Sequence, residues 1–198
     1  MSFFNKLALS ALAILLGLSP AFAGEWDSLP AAKKTKAGLY LHTTDAYKFT
    51  TENKDKVLFL DVRTKEEVQF LGMATVVDAN IPYMQNSDWF DWNEKGKNFK
   101  LVPNNEFGSE VARRLAAKGL GKNDPIILMC RSGDRSSQAA NILTDLGYTK
   151  VYSVVEGYEG DMAKDGPNKG RRMVNGWKND GLPWTYELDK NKMYGSAS

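Results

Sequence analysis

The chain has 198 residues, 26 of them lysine or arginine against 24 acidic, for a formal net charge of +2. That balance argues against nucleic acid or an anionic membrane surface as the main partner, and the length suffices for one domain with a proper core. One cysteine and one histidine exclude an intrachain disulfide and a Cys/His metal site of the usual kind.

Residues 1–23 read as a secretion signal. Lys6 supplies the positive start and residues 7–18 an apolar stretch too short for a comfortable membrane span. Ala21-Phe22-Ala23 forms a small-x-small cleavage site, so the mature chain is expected to start at Gly24. The alternative is an uncleaved N-terminal anchor. Either way the folded part is expected outside the cytoplasm, periplasmic or secreted, as a soluble domain over 24–198 with no later membrane span.

Residues 39–42 predict a short strand, and Thr43 or Thr44 caps a helix reaching about Lys48. Val57-Leu58-Phe59-Leu60 is a continuous apolar run ending in Asp61, the pattern of a central strand buried on both faces. Residues 65–70 predict a short helix, and 76–82 contain another short strand. Residues 85–104 lack periodicity and predict a long loop, which Trp89, Phe90 and Trp92 either pin to the body or use as a mouth or docking face. Pinning is the favoured reading, because loop aromatics are usually buried. From Asn104 or Asn105 a helix carries Phe107, Val111 and Leu115 on one stripe.

Residues 125–129 predict the strand that leads to Cys130. A helix over 136–146 follows, with Ala139, Ile142, Leu143 and Leu146 at helical spacing, and then a strand over 151–155. Residues 161–170 read as a Gly/Lys/Asp loop and roughly 171–178 as a helix, with the Lys164–Arg172 charges read as a solvated loop in preference to an anion site. The polar tail beyond about Leu188 is expected to be loose. Strands alternating with helices predict an α/β sandwich with a mainly parallel sheet, where the reactive loop belongs at a strand's carboxyl end.

Cys130 stands at that place. It ends an apolar run and opens Arg131-Ser132-Gly133-Asp134-Arg135-Ser136, a polar loop running into a helix. Arginine charge and helix-end N–H groups there favour the thiolate form of the sulfur. Backbone N–H groups of the loop can form a nest for negative charge, and Gly133 permits the sharp turn. Arg131 and Arg135 are candidate anion-steering cations, although Arg135 is equally readable as a brace. Ser132 and Ser136 are candidate hydroxyl donors, with Ser136 also a candidate helix N-cap. Asp134 opposes an anionic substrate and is expected to face solvent or pair with an arginine. An inert core thiol is the plain alternative for Cys130.

The segment Cys130-Arg131-Ser132-Gly133-Asp134-Arg135-Ser136 resembles the active-site loop of the rhodanese family of sulfurtransferases. Upstream, Leu60-Asp61-Val62-Arg63 and the acidic stretch after it are similar to that family's strand and short helix. Downstream, Val155-Glu156-Gly157-Tyr158, Trp177 and Gly181-Leu182-Pro183 are similar to its later elements. The resemblance spans about residues 37–185 and implies a three-layer α/β sandwich with helices on both faces of a parallel sheet. It implies catalysis by Cys130, which takes a sulfane sulfur from thiosulfate or a related anion as a persulfide and passes it to a thiol, cyanide or a protein thiol, without cofactor or metal. It also implies that Asp61 supports the catalytic loop. Arg63 is expected to pair with Glu67 or Glu66.

The chain departs from the family at residues 71–82, where a Gly-His-Ile-x-Gly-Ala signature is missing. Phosphatases and arsenate reductases of related architecture use a Cys-x5-Arg loop. Cys130 and Arg135 are one residue closer, a ring better suited to one terminal sulfur than to a phosphoryl group. A sulfur carrier with little turnover, or a silent binding module, remains the non-enzymatic alternative.

Overall fold

The computed structural model describes residues 24–195; the expected signal segment lies outside the described residues. In chain order the elements are β1 (Tyr40–Leu41), α1 (Thr43–Glu52), β2 (Leu58–Asp61), α2 (Lys65–Leu71), β3 (Met73–Ala74), β4 (Ala79–Asn80) and β5 (Met84–Asn86). There follow β6 (Trp92–Asn93), β7 (Asn98–Phe99), β8 (Leu101–Pro103), α3 (Phe107–Ala117), β9 (Ile126–Met129), α4 (Asp134–Asp145), β10 (Val151–Val154) and β11 (Trp184–Thr185).

The apolar runs became the middle of the sheet. Five parallel strands lie in the order β1-β10-β9-β2-β4, and every residue of β2 and β9 is buried. Alternate side chains of these strands sort into two cores. Leu58, Leu60, Ile126 and Leu128 pack with α3 and α4 through Val111, Leu115, Ala139 and Leu143. Phe59, Ile127 and Met129 pack with α1 and α2 through Ala46 and Val68, and with Trp177. Helices therefore cover both faces, giving the three-layer α/β sandwich.

Several expectations changed. α1 is longer than its apolar pattern suggested, and its N-cap is His42 rather than a threonine. α4 starts at Asp134 with Gly133 as N-cap, so Ser136 lies inside the helix and caps nothing. Residues 171–178 form no helix. Trp177 and Lys178 donate their N–H groups to the Gly157 and Tyr158 carbonyls, and Gly176 adopts φ +107°. Those outside partners replace the intrahelical bonds a helix would need. The 85–104 segment is not a plain loop: β5 pairs with β8 and β6 with β7, both antiparallel. The tail is docked as far as Tyr194, where Lys192 Nζ donates to the Val77 carbonyl and Tyr194 Oη to Glu106.

Candidate active site

β9 delivers Cys130 to the carboxyl end of the sheet between β2 and β10. The chain then turns through Gly133 at φ +96°, a left-handed conformation open to glycine. A Cβ on Gly133 would stand 2.3 Å from the Val155 carbonyl oxygen, so no side chain fits. In this turn the Gly133 N–H donates to Cys130 Sγ at 3.1 Å. The N-terminus of α4 follows at once, adding N–H groups without intrahelical partners and the positive end of the helix dipole. Cys130 is only 1% exposed, yet it borders a cavity of about 450 Å³.

A second turn holds the loop from behind. Tyr158 N–H donates to the Cys130 carbonyl at 2.8 Å, and Glu159 and Gly160 N–H donate to the Arg131 carbonyl. This takes both carbonyls out of competition with a bound anion. The close approach depends on Gly157, where a Cβ would lie 2.6 Å from Arg131 C and Ser132 N. Ser136 is fully buried beside the sulfur. Its hydroxyl donates to the Gly133 carbonyl and shares a bond with Ser153, while the Cys130 thiol lies 3.5 Å away as a donor to it.

The cations are tied down differently. Arg135 forms a bidentate pair with Glu67, both contacts 2.6 Å. Glu67 is held on its other side by the Thr64 capping box at the start of α2. Burial alone would raise the Glu67 pKa, but bonding to Arg135 and its charge bring the net shift down. Burial likewise works to lower Arg135; Glu67 outweighs it, and negative charge on Cys130 adds to the upward shift. Arg131 pairs with Glu159 at the half-exposed rim.

Arg63 does not pair with Glu67 or Glu66. Its guanidinium grips Asp61, with Nη2 2.6 Å from Oδ2, and donates to the Gly72 carbonyl, both side chains fully buried. Burial would lower its pKa, but the Asp61 carboxylate holds it up. The Arg63 guanidinium also stacks 3.7 Å from the Tyr158 ring centroid. Asp61 thus connects to the Cys130 loop through Arg63 and Tyr158, whose N–H holds the Cys130 carbonyl.

Residues 44–164 match the family model of the rhodanese-like domain. The chain belongs to the rhodanese-like family. An uncharacterized protein of Rickettsia conorii is 32% identical over 148 residues, covering 73% of this chain and 94% of that protein. Thiosulfate sulfurtransferase 18 of Arabidopsis thaliana is 35% identical over 100 residues, 50% of this chain and 62% of the plant protein. The crystal structure of Rv0390 from M. tuberculosis superposes with a TM-score of 0.55 at 26% identity, over 74% of this chain and 96% of that one. The family is thus one of sulfurtransferases.

The rhodanese-like site gathers most of the expected residues. Cys130, Arg131, Ser132, Asp134 and Arg135 all line the cavity, and Gly133 shapes it. Asp134 is exposed, at the first position of α4. Ser136 sits behind the sulfur, and Asp61 and Arg63 stand a layer further back. Three features escaped the sequence reading. Glu67 is the partner of Arg135; its Thr64-x-x-Glu67 spacing marks a capping box but not that pairing. Phe99 and Leu101 form part of the cavity wall. Arg172, in a segment read as solvated, lines the same cavity.

The aromatics of the 85–104 segment do not pin it. Trp89 is 88% exposed, and Phe90, Trp92 and Phe99 are about half exposed. Phe90 and Trp92 pack edge-on against Phe99. The segment is held by its β5–β8 and β6–β7 backbone pairing, and its rings pack on one another at the surface instead of in the body. Among the described residues no His/Cys/Asp/Glu group could hold a metal, and no helix is long and apolar enough to cross a membrane.

Proposed function

We propose that this chain transfers sulfane sulfur through a persulfide on Cys130. The Cys130 thiolate attacks the outer sulfur of thiosulfate or a related donor. The new S–S bond forms as the old one breaks, and the electron pair leaves with sulfite. A second nucleophile, a thiol or cyanide, then takes the outer sulfur, and Cys130 departs as thiolate. Each stage carries negative charge next to the Gly133 N–H, the α4 N-terminus and Arg135.

The observation that carries this reading is the Gly133 N–H aimed at Cys130 Sγ on the floor of a cavity bordered by guanidinium groups. An inert thiol needs neither the left-handed glycine turn that aims an N–H at it nor the open cavity. The short Cys130-to-Arg135 loop favours sulfur transfer over phosphoryl chemistry. The test is intact mass of the protein after exposure to thiosulfate. A gain of one sulfur on the wild type and none on Cys130→Ser supports the proposal; no adduct with any sulfane donor sinks it.

A carrier role with a protein acceptor is the second reading, favoured by the exposed aromatic hairpin beside the cavity. Rapid persulfide formation with slow turnover to cyanide distinguishes it. We further propose that the domain works outside the cytoplasm, on the strength of residues 1–23. A mature chain starting at Gly24, read by N-terminal sequencing, tests that.

A further inference from the structure

We propose that Arg172, brought in by the segment after β10, forms with Arg131 a subsite for the oxyanion end of a doubly charged sulfur donor, thiosulfate being the probe. This rests on the sulfur-transfer reading and names the donor class of that same site.

Three guanidinium groups border the cavity of Cys130: Arg131, Arg135 and Arg172. Two of them are matched by carboxylates, Arg131 by Glu159 and Arg135 by Glu67. Arg172 makes no ion pair with any carboxylate among the described residues. It is nevertheless held in place. Its Nη1 donates to the Gly160 carbonyl at 2.6 Å, and the Gly160 N–H donates to the Arg131 carbonyl. Its backbone is bridged to Met162, and its carbonyl accepts from Asn179 Nδ2.

Partial burial and the like charge of Arg131 both push the Arg172 pKa down, against weaker support from Glu159, Asp161 and Asp134. Two cations set side by side at the mouth of a cavity repel until an anion joins them. A donor whose terminal sulfur reaches Cys130 Sγ directs its oxygens back toward that mouth. Charge on those oxygens persists as sulfite departs with the electron pair, so the same guanidinium groups serve donor and leaving group. A thiol acceptor attacks as a thiolate with one charge on its sulfur and no oxyanion end, and makes no such demand.

The test separates binding from turnover. Calorimetry of thiosulfate on the Cys130→Ser chain should give measurable affinity, which adding Arg172→Ala weakens about tenfold or more and Arg172→Lys weakens less. With Cys130 intact, Arg172→Ala should raise the KM for thiosulfate by a similar factor. Discharge of preloaded persulfide to dithiothreitol should change less than about twofold. No thiosulfate binding to Cys130→Ser, equal affinity with and without Arg172, or equal loss in both half-reactions overturns the subsite. If binding depends on Arg172 but the wild type never gains sulfur, the subsite stands and the sulfur-transfer reading falls.

Discussion

Gly157→Ala tests whether the turn after β10 positions the Cys130 loop. Gly157 has φ +70°, and an added Cβ would meet only backbone atoms of the loop, at 2.6–2.7 Å. The left-handed conformation costs an L-residue roughly 1–2 kcal/mol. Forcing a methyl group against packed backbone adds roughly 1–3 kcal/mol, for a total of about 2–5 kcal/mol. Against a net stability of about 5–15 kcal/mol the variant should still fold, with a Tm lower by about 5–15 °C.

The clash is relieved by moving residues 131–132, which stretches the Tyr158-to-Cys130 hydrogen bond and shifts the sulfur. A displacement approaching 1 Å costs on the order of 100-fold in rate, so persulfide formation should slow by about 10- to 100-fold. Gly181→Ala is the control, since Gly181 has the same φ of +70° but nothing within 4 Å of its Cβ position. It should show the conformational cost alone, with sulfur loading unchanged. Thermal melts and stopped-flow sulfur loading measure the two effects. Equal Tm losses for the two variants, with both fully active, would refute the reasoning.

Glu67→Gln keeps an acceptor for the Thr64 N–H, and hence the capping box, while removing the charge facing Arg135. The pair is partly screened, so the loss should be about 1–3 kcal/mol in denaturant unfolding. Because the folded Glu67 pKa is lowered, its contribution is present above the unfolded value of about 4.3 and fades as pH falls through the folded value. The variant should lose that part of the acid slope, and an unchanged slope counts against the pair. The His42 pKa is raised: burial opposes this, but hydrogen bonds to Glu25 and Glu156 prevail. Its contribution is therefore present in full below about pH 6.5 and lost as pH rises through the folded value; His42→Gln should flatten that alkaline decline in melts across pH. Trp89→Ser should leave stability within about 0.5 kcal/mol by urea titration, whereas a loss above about 1.5 kcal/mol would mean that the ring does pin its loop.

The sheet was legible because β2 up to Leu60 and the whole of β9 are unbroken apolar runs, a pattern that both-face burial produces and alternation does not. Cys130 was legible because a buried strand gave way at once to a polar loop and a helical stripe. The partner of Arg63 was not, since pairing was argued by helical spacing while Asp61 lies two residues back at a strand end, where a long side chain can fold over its own turn. The hairpins at 84–103 are only two or three residues wide per strand, too short to show a period. Arg172 was hidden for a different reason. Its place on the cavity wall comes from a glycine-rich segment that folds back beside the Cys130 loop, and charge in such a segment looks solvated until the fold closes.

The ion pair behind the loop is better understood as a positioning device than as a source of stability. Asp61 and Arg63 are fully buried, and Arg63 Nη1 has no hydrogen-bond partner. Removing two charges from water and leaving a donor unmatched is unfavourable, and apolar residues of similar volume often do as well or better. What apolar residues lack is direction. The Asp61 carboxylate fixes the guanidinium plane at the end of β2, the plane stacks on Tyr158, and the Tyr158 N–H holds the Cys130 carbonyl. Arg135 and Glu67 act from the other side, from α4 to α2. The sulfur is thus located by rigid neighbours on two elements, while Arg172 approaches it from a segment outside that frame. Such a division suits the two-stage transfer proposed above, in which the sulfur must keep its place as different molecules come and go.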